Sequence, residues 1–451
     1  MHSLPSRSPS SPSPAGPVPL WRDPDFRRLW WGQTVSQFGA QATQVILPLV
    51  AVVSLQAGAG QLGALRAVEQ APVLLFSLVA GAWVDRRRAR PVMVLTDAGR
   101  ALTLAGVAVA YGLGVLALPG LFVAALLVGV CGVYFDVAYQ ASLVRLVHRD
   151  LLAQGNSALE GSRSAAQIGG PALGGALVSL VSAPAAALTG AACFALSAGS
   201  LHRIRRREPV PVPVGGAAGT GRRILEGLRF VAHSPSLRAV GLASALFQFS
   251  LAALMTVYLL YLPRALHLSG AEVGLALAAT GPGAVVGSLL SARLPQRFGY
   301  GVVLVSAAVL ADGVMLCVPA LPASGPAVLP ALIGVNFVFG TFGQLVNVTV
   351  MAVRQALTPV RIQGRVVATI NFAGMGLTPL GSLLGGHLAG LWGLRTSLFV
   401  TAVALALSPL FMACSPLARL GKRLPAGDGP TSREGGRPAG QGGDRSAYAG
   451  E

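Results

Sequence analysis

Long apolar segments alternate with short polar, arginine-rich segments over most of this 451-residue chain. Apolar runs of about 20 residues, the length that a helix needs to cross a bilayer, recur from Trp30 to Pro416. Hydropathy predicts helices at residues 29–55, 62–84, 91–113, 119–142, 157–181, 184–203, 239–262, 271–293, 300–320, 328–352, 366–390 and 395–415. The pattern indicates an all-α membrane protein with about twelve transmembrane helices.

Composition supports this interpretation, because 53% of the residues are hydrophobic and only 11% are charged, with a mean hydropathy of +0.64. An ordinary soluble domain carries roughly a quarter charged residues. The formal net charge is +18. The arginines of the chain form short clusters between the apolar segments, whereas in a nucleic-acid-binding domain basic residues form one patch or stripe. No nucleic-acid partner is therefore expected.

The arginines are distributed unequally between the two sides of the predicted layout. Most of them, including the runs at 86–90 and 203–207, fall on one side, and mainly Arg66, Arg264 and Arg395 fall on the other. By the positive-inside rule, the arginine-rich side is cytoplasmic. An even number of spans then places both termini in the cytoplasm.

The chain divides at its midpoint. A charged, Pro-rich and Gly-rich stretch from Arg205 to Gly221 is typical of a linker. Together with the hydropathy segments, this stretch divides the chain into five predicted regions. They are a disordered tail at 1–24, a six-helix bundle at 25–204, a linker at 205–237, a second bundle at 238–416 and a disordered tail at 417–451. Within the linker, Ile224, Leu225, Leu228 and Val231 fall at helical spacing, which predicts either a short amphipathic helix or the lead-in to helix seven.

Short matches between the halves suggest an internal duplication. Gln140-Ala141 before a basic loop is echoed by Gln355-Ala356, and the Gly-Pro motif at 170–175 is echoed by Thr378-Pro-Leu-Gly381. The offsets are similar, as a parallel duplication predicts. We therefore expect two pseudo-symmetric bundles of six helices each.

The loop between helices two and three carries a family resemblance. Gly81-Ala-Trp-Val-Asp85-Arg86-Arg87-Arg88-Ala-Arg90 resembles the cytoplasmic signature of the major facilitator superfamily. The segments Phe26–Trp30, Tyr134–Asp136 and Arg354–Pro359 are similar to the branch that contains bacterial macrolide-efflux and enterobactin-exporter proteins. The resemblance implies a monomeric exporter in the bacterial plasma membrane. Its partners would be the lipid bilayer, a small-molecule substrate and protons, with the proton gradient as energy source and no cofactor.

The same resemblance suggests residues that control the conformational change. Asp85 can accept hydrogen bonds from a neighbouring helix N-terminus, and Arg86 can pair with Asp136, so that both latch the cytoplasmic side when it is closed. A simple topology-setting role for this basic loop, including Arg90, stays open. Helix five contains four residues that resemble the antiporter signature of drug exporters, Gly170, Pro171, Gly174 and Gly175. Such residues allow a helix to bend or to pack closely against a neighbour. The close packing either prevents leakage during the conformational change or serves packing alone.

Carboxyl groups inside predicted spans are candidates for proton coupling, because an ionised group is costly in the membrane. Asp312 has no basic residue within one helical turn, which makes it the leading candidate. Glu69 lies one turn from Arg66, so an ion pair competes with a proton-carrying role. Asp97 lies one turn from Arg100, and we expect this pair to serve structure or gating first.

Amide side chains mark a candidate substrate site. Four glutamines fall on one stripe of helix one, and further polar residues lie on helices seven and ten: Gln33, Gln37, Gln41, Gln44, Gln248, Tyr258, Asn336, Gln344 and Asn347. The family resemblance implies that these three helices line a central cavity. An apolar cavity with scattered amides would suit a bulky amphipathic compound. Hydrogen bonding between helices is the alternative.

No signature of an enzyme is present, since neither a Walker loop nor a catalytic triad spacing occurs. The four cysteines lie far apart without histidine partners, so neither a metal site nor a disulfide framework is predicted. We therefore expect a secondary transporter that exports a hydrophobic or amphipathic small molecule by alternating access. A dedicated siderophore or natural-product exporter, and a non-transporting membrane sensor or assembly protein, are the alternatives.

Overall fold

The computed structural model describes residues 19–84, 86–147, 151–206, 229–322, 325–357, 369–370, 372 and 374–422. Most of both predicted tails and most of the predicted linker, including Ile224, Leu225 and Leu228, lie outside these residues. Asp85 of the predicted latch also lies outside them. The part of the chain that is described is almost entirely helical and contains no β-strand.

The first half of the chain forms six long helices. They are α1 (Pro24–Leu49, continued by a π-helical segment Val50–Ser54), α2 (Ala59–Val84), α3 (Ala89–Gly112), α4 (Leu118–Leu146), α5 (Leu152–Leu180) and α6 (Ala183–His202). Each overlaps one of the first six hydropathy segments.

The second half repeats this arrangement. It contains α7 (Pro235–Ala265), α8 in two parts (Gly270–Ala278 and Thr280–Ser291), α9 (Tyr300–Val314, continued by a 3-10 segment Met315–Ala320), α10 (Val328–Leu357), α11 (Thr378–Trp392) and α12 (Leu394–Ala413). A short helix, Leu294–Phe298, connects α8 to α9. These helices overlap the remaining six hydropathy segments.

Nine of these helices, counted over the described residues, are long and apolar enough to cross a membrane. They are α1, α3, α4, α6, α7, α8, α9, α10 and α12. The other three, α2, α5 and α11, take part in the contacts between the two halves. Large apolar side chains remain exposed on the outward faces, for example Leu102 of α3 and Leu289 of α8, as expected for a surface covered by lipid.

Local sequence signals explain several helix starts. Asp23 caps α1, since its carboxylate accepts a hydrogen bond from the backbone N–H of Asp25 at 2.9 Å, and Pro24 follows at the first helical position. Ser269 and Glu272 form a capping box at the start of α8. These caps satisfy backbone donors that a helix end would otherwise leave without partners.

The same helix pairs pack in both halves. In the first half α1 packs against α5 and α6, α3 against α4 and α6, and α2 against α4. In the second half α7 packs against α11 and α12, α9 against α10 and α12, and α8 against α10. Adding six to each number of the first set gives the second set. The packing therefore has the pseudo-symmetry that the internal sequence matches predicted.

The halves meet through two helix pairs, α2 with α11 and α5 with α8. At both crossings glycines bring backbones into contact: a Cβ added to Gly63 would lie 2.9 Å from the Cα of Gly386, and one added to Gly274 would lie 2.8 Å from the Cα of Gly175. We call these two crossings the glycine seams. Both lie near the helix ends opposite the arginine-rich end.

A further contact closes the same end of the molecule. The guanidinium of Arg264, at the end of α7, donates a hydrogen bond to the carbonyl oxygen of Ala57, in the α1–α2 connection, at 2.6 Å. At the arginine-rich end, by contrast, a cavity extends inward between the helices. Over the described residues, the structure is thus closed at one end and has a cavity toward the other.

Candidate functional site

The candidate site is a cavity of about 410 Å³ enclosed by α7, α9, α10 and α12 of the second half, residues 370–375 before α11, and α5 of the first half. Its wall includes small residues at close helix approaches, polar residues and several methionines. The lining residues are Arg163, Ala243, Ser244, Phe247, Gln248, Ala308, Ala311, Asp312, Gly343, Val346, Asn347, Val350, Met351, Arg354, Ile370, Gly374, Met375, Ser408 and Met412.

Asp312 supplies the one carboxylate in this lining. It is 2% exposed, and among the described residues no hydrogen bond or ion pair reaches its carboxylate. Twelve residues separate it from Tyr300 at the start of α9, which places it about 18 Å along the helix, near mid-membrane depth. The leading predicted proton carrier therefore lies where a substrate in the cavity could contact it.

Two arginines give the cavity positive charge. Arg163 reaches it from α5, and Arg354 reaches it from the last turn of α10. Neither arginine was predicted to belong to the site. Arg163 lies one turn after Glu160 on α5, and its contribution to the cavity depends on how the two halves pack.

The hydrophobic part of the wall consists of Phe247, three methionines and several aliphatic residues. The methionines are Met351 of α10, Met412 of α12 and Met375, which precedes α11. Methionine side chains are flexible and polarisable, so they adapt to ligands of different shape. Their role could not be predicted from the sequence, because methionines in apolar helices also fit ordinary packing positions.

The predicted substrate residues divide into two groups. Gln248 and Asn347 line the cavity. Tyr258 and Asn336 do not, because both are buried between α7 and α10, where the Asn336 amide donates a hydrogen bond to the Tyr258 hydroxyl at 2.8 Å. Gln344 is also absent from the lining and lies against Gly287 of α8. For Tyr258 and Asn336, the alternative of hydrogen bonding between helices describes this structure.

The glutamine stripe on α1 does not reach the cavity lining either. Gln33 is fully buried, and neither polar atom of its amide has a hydrogen-bond partner among the described residues. Gln37 is half-buried, Gln41 packs against Gly170 of α5, and Gln44 is exposed. The stripe faces protein at Gln33 and lies outside this cavity, because the cavity is enclosed mainly by the second half.

Asp97 belongs to a polar cluster inside the first half. Its carboxylate is 0% exposed, lies 3.6 Å from the Arg100 guanidinium and accepts a hydrogen bond from the Ser36 hydroxyl at 3.1 Å. Arg100 also stacks on Phe135 and Phe194, with its guanidinium carbon 4.7 and 5.0 Å from the ring centroids. These contacts fit the expectation of a structural or gating pair.

Asp136 of α4 is an exposed residue on which the positive charges of Arg100 and Arg163 both act. Arg86, its predicted latch partner, is exposed at the start of the α2–α3 turn. The latch was predicted for a state closed at the arginine-rich end, so the open state seen here leaves it as a prediction.

The remaining gating candidates have clear positions. Arg90 donates hydrogen bonds to the carbonyl oxygens of Leu201 and His202, which ties α3 to the end of α6. Gly81 has open space where a side chain would lie. Gly170 and Gly174 pack against Gln41 and Ala42 of α1.

The four signature-like residues of α5 thus serve two different contacts. Gly170 and Gly174 pack within the first half, whereas Gly175 forms the seam with α8, and Pro171 lies between them inside the helix. Glu69 acts electrostatically with Arg66 one turn away on α2. Its helix neighbour Gln70 accepts a hydrogen bond from the Ser382 hydroxyl of α11 at 3.4 Å, which places this pair beside the other seam.

Two bundles of six helices with matching internal pairs, joined at one end around a cavity, define the fold of a major facilitator superfamily transporter. Solved structures share it. A bacterial homologue of the iron transporter ferroportin in its inward-facing state is similar with a TM-score of 0.70, 17% identity, and coverage of 88% of this chain and 98% of that one. The nucleoside transporter NupG is similar with a TM-score of 0.68 and 14% identity, and the match covers 86% of this chain and 98% of that one. The predicted fold class is therefore confirmed.

The chain belongs to the transmembrane secretion effector family, whose sequence pattern matches residues 15–426. It is 30% identical over 407 residues to the multidrug efflux pump Tap of Mycobacterium tuberculosis, a match that covers 83% of this chain and 87% of the pump. The Tap pump of Mycolicibacterium fortuitum is 28% identical over 358 residues, a match that covers 74% of this chain and 82% of that pump. The chain is thus a multi-pass membrane transporter of an efflux-type family, which confirms the predicted superfamily.

Proposed function

We propose that this transporter exports hydrophobic or amphipathic small molecules by proton-coupled alternating access, with Asp312 as the proton carrier. Its arginine-rich end and both termini would lie in the cytoplasm of a bacterium. The cavity would then open to the cytoplasm, where an exporter must load its substrate. The observation that carries the proposal is the position of Asp312, a carboxylate without a charged partner among the described residues, in the wall of this cavity.

The lining supports the substrate class. Phe247 and the three methionines offer an adaptable apolar surface, while Gln248, Asn347 and Ser244 offer hydrogen bonds. Such a wall binds amphipathic compounds of different shapes rather than one polar metabolite. The similar Tap pumps are named as multidrug efflux pumps, which fits this lining.

The coupling requires a group that is alternately exposed to the two sides. A neutral Asp312 can be buried at low cost when the cavity closes, whereas the ionised form cannot, since a charge in the membrane centre costs about 2.5–3.5 kcal/mol by insertion scales. Proton binding from outside and release to the cytoplasm would therefore alternate with substrate release and loading. One proton crossing about 150 mV supplies about 3.5 kcal/mol, enough for substrate accumulation of several hundredfold.

The test uses purified protein in liposomes with an imposed pH difference. Asp312→Asn should abolish uphill substrate movement and substrate-driven proton flow, while Asp312→Glu, the matched control, should retain part of both. The Asn variant should still bind substrate and unfold at a temperature close to that of the wild type. Normal uphill export by Asp312→Asn would remove this residue from the coupling role.

A dedicated exporter of an anionic natural product, such as a siderophore, is the second candidate. Arg163 and Arg354 in the cavity wall favour it, because two cations outnumber the single carboxylate of the lining. Expression in an efflux-deficient host separates the two functions. Protection against several unrelated drugs would support the first, and a change only in the secretion of one acidic metabolite would support the second.

A further inference from the structure

A second recess lies at the arginine-rich end of the first half, remote from the cavity described above. Its volume is about 550 Å³, and its lining residues are Arg28, Arg90, His202, Arg203, Ile204 and Arg205. Four arginines thus line it between the starts of α1 and α3 and the end of α6, and among the described residues no carboxylate belongs to the lining. Charge of one sign concentrated in this way points to an anionic ligand.

The recess is built by specific contacts. The Asp25 carboxylate binds the Arg28 guanidinium at 2.8 Å and accepts hydrogen bonds from the backbone N–H groups of Arg205 and Arg206 at 3.1 and 2.9 Å. The hydrogen bonds from Arg90 to carbonyl oxygens of α6 fix the opposite wall. The chain after α6 is thereby held against α1. Arg203 and Arg205 remain exposed at the rim of the recess.

Aromatic side chains place this recess at a membrane surface. Trp31 lies one turn after Arg28 on the same side of α1 and is 57% exposed, and Trp21 is 45% exposed. Trp30 joins them, with ring centroids 5.3 Å from Trp21 and 5.1 Å from Trp31. Exposed tryptophans of this kind are enriched at the level of lipid headgroups.

An apolar surface continues from the recess toward the middle of the membrane. Leu196 of α6 lies two turns before Arg203 on the same face of the helix and is 66% exposed, and Leu95 on the neighbouring α3 is 71% exposed. A ligand with a phosphate in the recess would therefore have room for acyl chains along these helices. A soluble anion would use the arginines but leave this adjoining surface without a role.

We propose that the recess is a binding site for the headgroup of an anionic phospholipid such as phosphatidylglycerol. Arg203 and Arg205 would bind the phosphodiester from the rim, Arg28 would contribute positive charge from the α1 side, and the tryptophans would pack beside the glycerol backbone. Basic pockets between membrane helices bind anionic headgroups elsewhere, since both charge and hydrophobic contact favour lipid over free anion. The proposal is independent of substrate and coupling.

The test measures lipid retention by the full chain in detergent, using native mass spectrometry, with dioleoylphosphatidylglycerol and dioleoylphosphatidylcholine as competing probes. The wild type should retain phosphatidylglycerol preferentially. Arg203→Gln/Arg205→Gln should weaken its binding about tenfold or more. The matched control is Arg293→Gln/Arg297→Gln, which removes two exposed arginines from the same end of the second half and should keep the preference.

Three further measurements make the proposal falsifiable. Both double variants should unfold at the wild-type temperature in phosphatidylcholine, and Arg203→Lys/Arg205→Lys should recover most of the preference. Brominated phosphatidylglycerol should quench tryptophan fluorescence in the wild type and less in the Gln variant. Equal loss in the control variant would show diffuse electrostatic attraction and overturn the proposal. Retention of free glycerol phosphate equal to that of phosphatidylglycerol at the same concentration would also overturn it, in favour of a soluble anion.

Discussion

The two bundles use the same helix pairs but treat buried charge in opposite ways. In the first bundle, the buried Asp97 carboxylate lies 3.6 Å from the Arg100 guanidinium. In the second bundle, the buried Asp312 has no charged partner among the described residues. A paired charge supports one conformation, whereas a carboxylate without a partner can respond to protons and substrate. One scaffold can thus be duplicated and its copies assigned different tasks.

The largest expected effect comes from breaking the pair in the first bundle. Arg100→Leu would leave the Asp97 carboxylate buried without its counter-charge and should lower the free energy of unfolding by about 3–5 kcal/mol. Denaturant titration in micelles measures this. Asp97→Asn/Arg100→Leu should recover a large part of the loss, and Asp312→Asn should cost much less. Equal stability of the wild type and the Arg100 variant would contradict this contrast between the bundles.

The seam between the bundles is expected to come next. A side chain at Gly175 would collide with the backbone of Gly274, so Gly175→Val should disfavour the state that is closed at this end by about 1–3 kcal/mol. Transport should fall, and cysteines introduced near the seam should become accessible to water-soluble reagents. Gly161→Val on the same helix is the control, because open space surrounds Gly161. Equal loss in both variants would indicate a general effect on α5.

A smaller effect distinguishes packing from binding in the second bundle. Tyr258→Phe removes the hydroxyl that accepts the Asn336 hydrogen bond and should lower the free energy of unfolding by about 0.5–1.5 kcal/mol. Substrate affinity should stay the same, because neither residue lines the cavity. Calorimetry and a substrate-binding titration on one preparation give both values. Weaker binding at unchanged stability would return Tyr258 to the substrate site.

The smallest effect concerns the amides of the cavity. Gln248→Leu should change the affinity for a transported compound by a few fold, corresponding to about 0.5–1 kcal/mol for one hydrogen bond. Gln344→Leu should leave the affinity unchanged, since Gln344 packs against α8. Competition binding with a fluorescent substrate measures both. The assignment of the cavity would be wrong if the Gln344 variant had the larger effect.

The sequence predicted the architecture well because bilayer thickness imposes a length on every helix. All twelve hydropathy segments contain helices, and the matches between the halves anticipated equivalent packing. The direction in which a polar side chain points was harder to predict. Tyr258 and Gln248 lie on one helix, yet the first bonds Asn336 and the second faces the cavity.

Other parts of the site depend on how the bundles sit against each other. Arg163 enters a cavity that is mostly formed by the opposite bundle, and no spacing along α5 reveals this. Asp312 could be identified because a carboxyl group without a nearby cation is unusual in an apolar helix. The methionines had no such signal. The sequence therefore identified Asp312, whose charge is unfavourable inside the membrane, but not the apolar residues around it.

The glycine seams have a consequence for the speed of switching. At these crossings the close contacts are mainly between backbones, with one side-chain hydrogen bond from Ser382 to Gln70 beside the first seam, and separation breaks no ion pair among the described residues. The two crossings are also counterparts under the pseudo-twofold relation, so a single rocking motion can part both at once. Because the backbones touch without interdigitating side chains, the change between the two conformations is expected to have a low kinetic barrier.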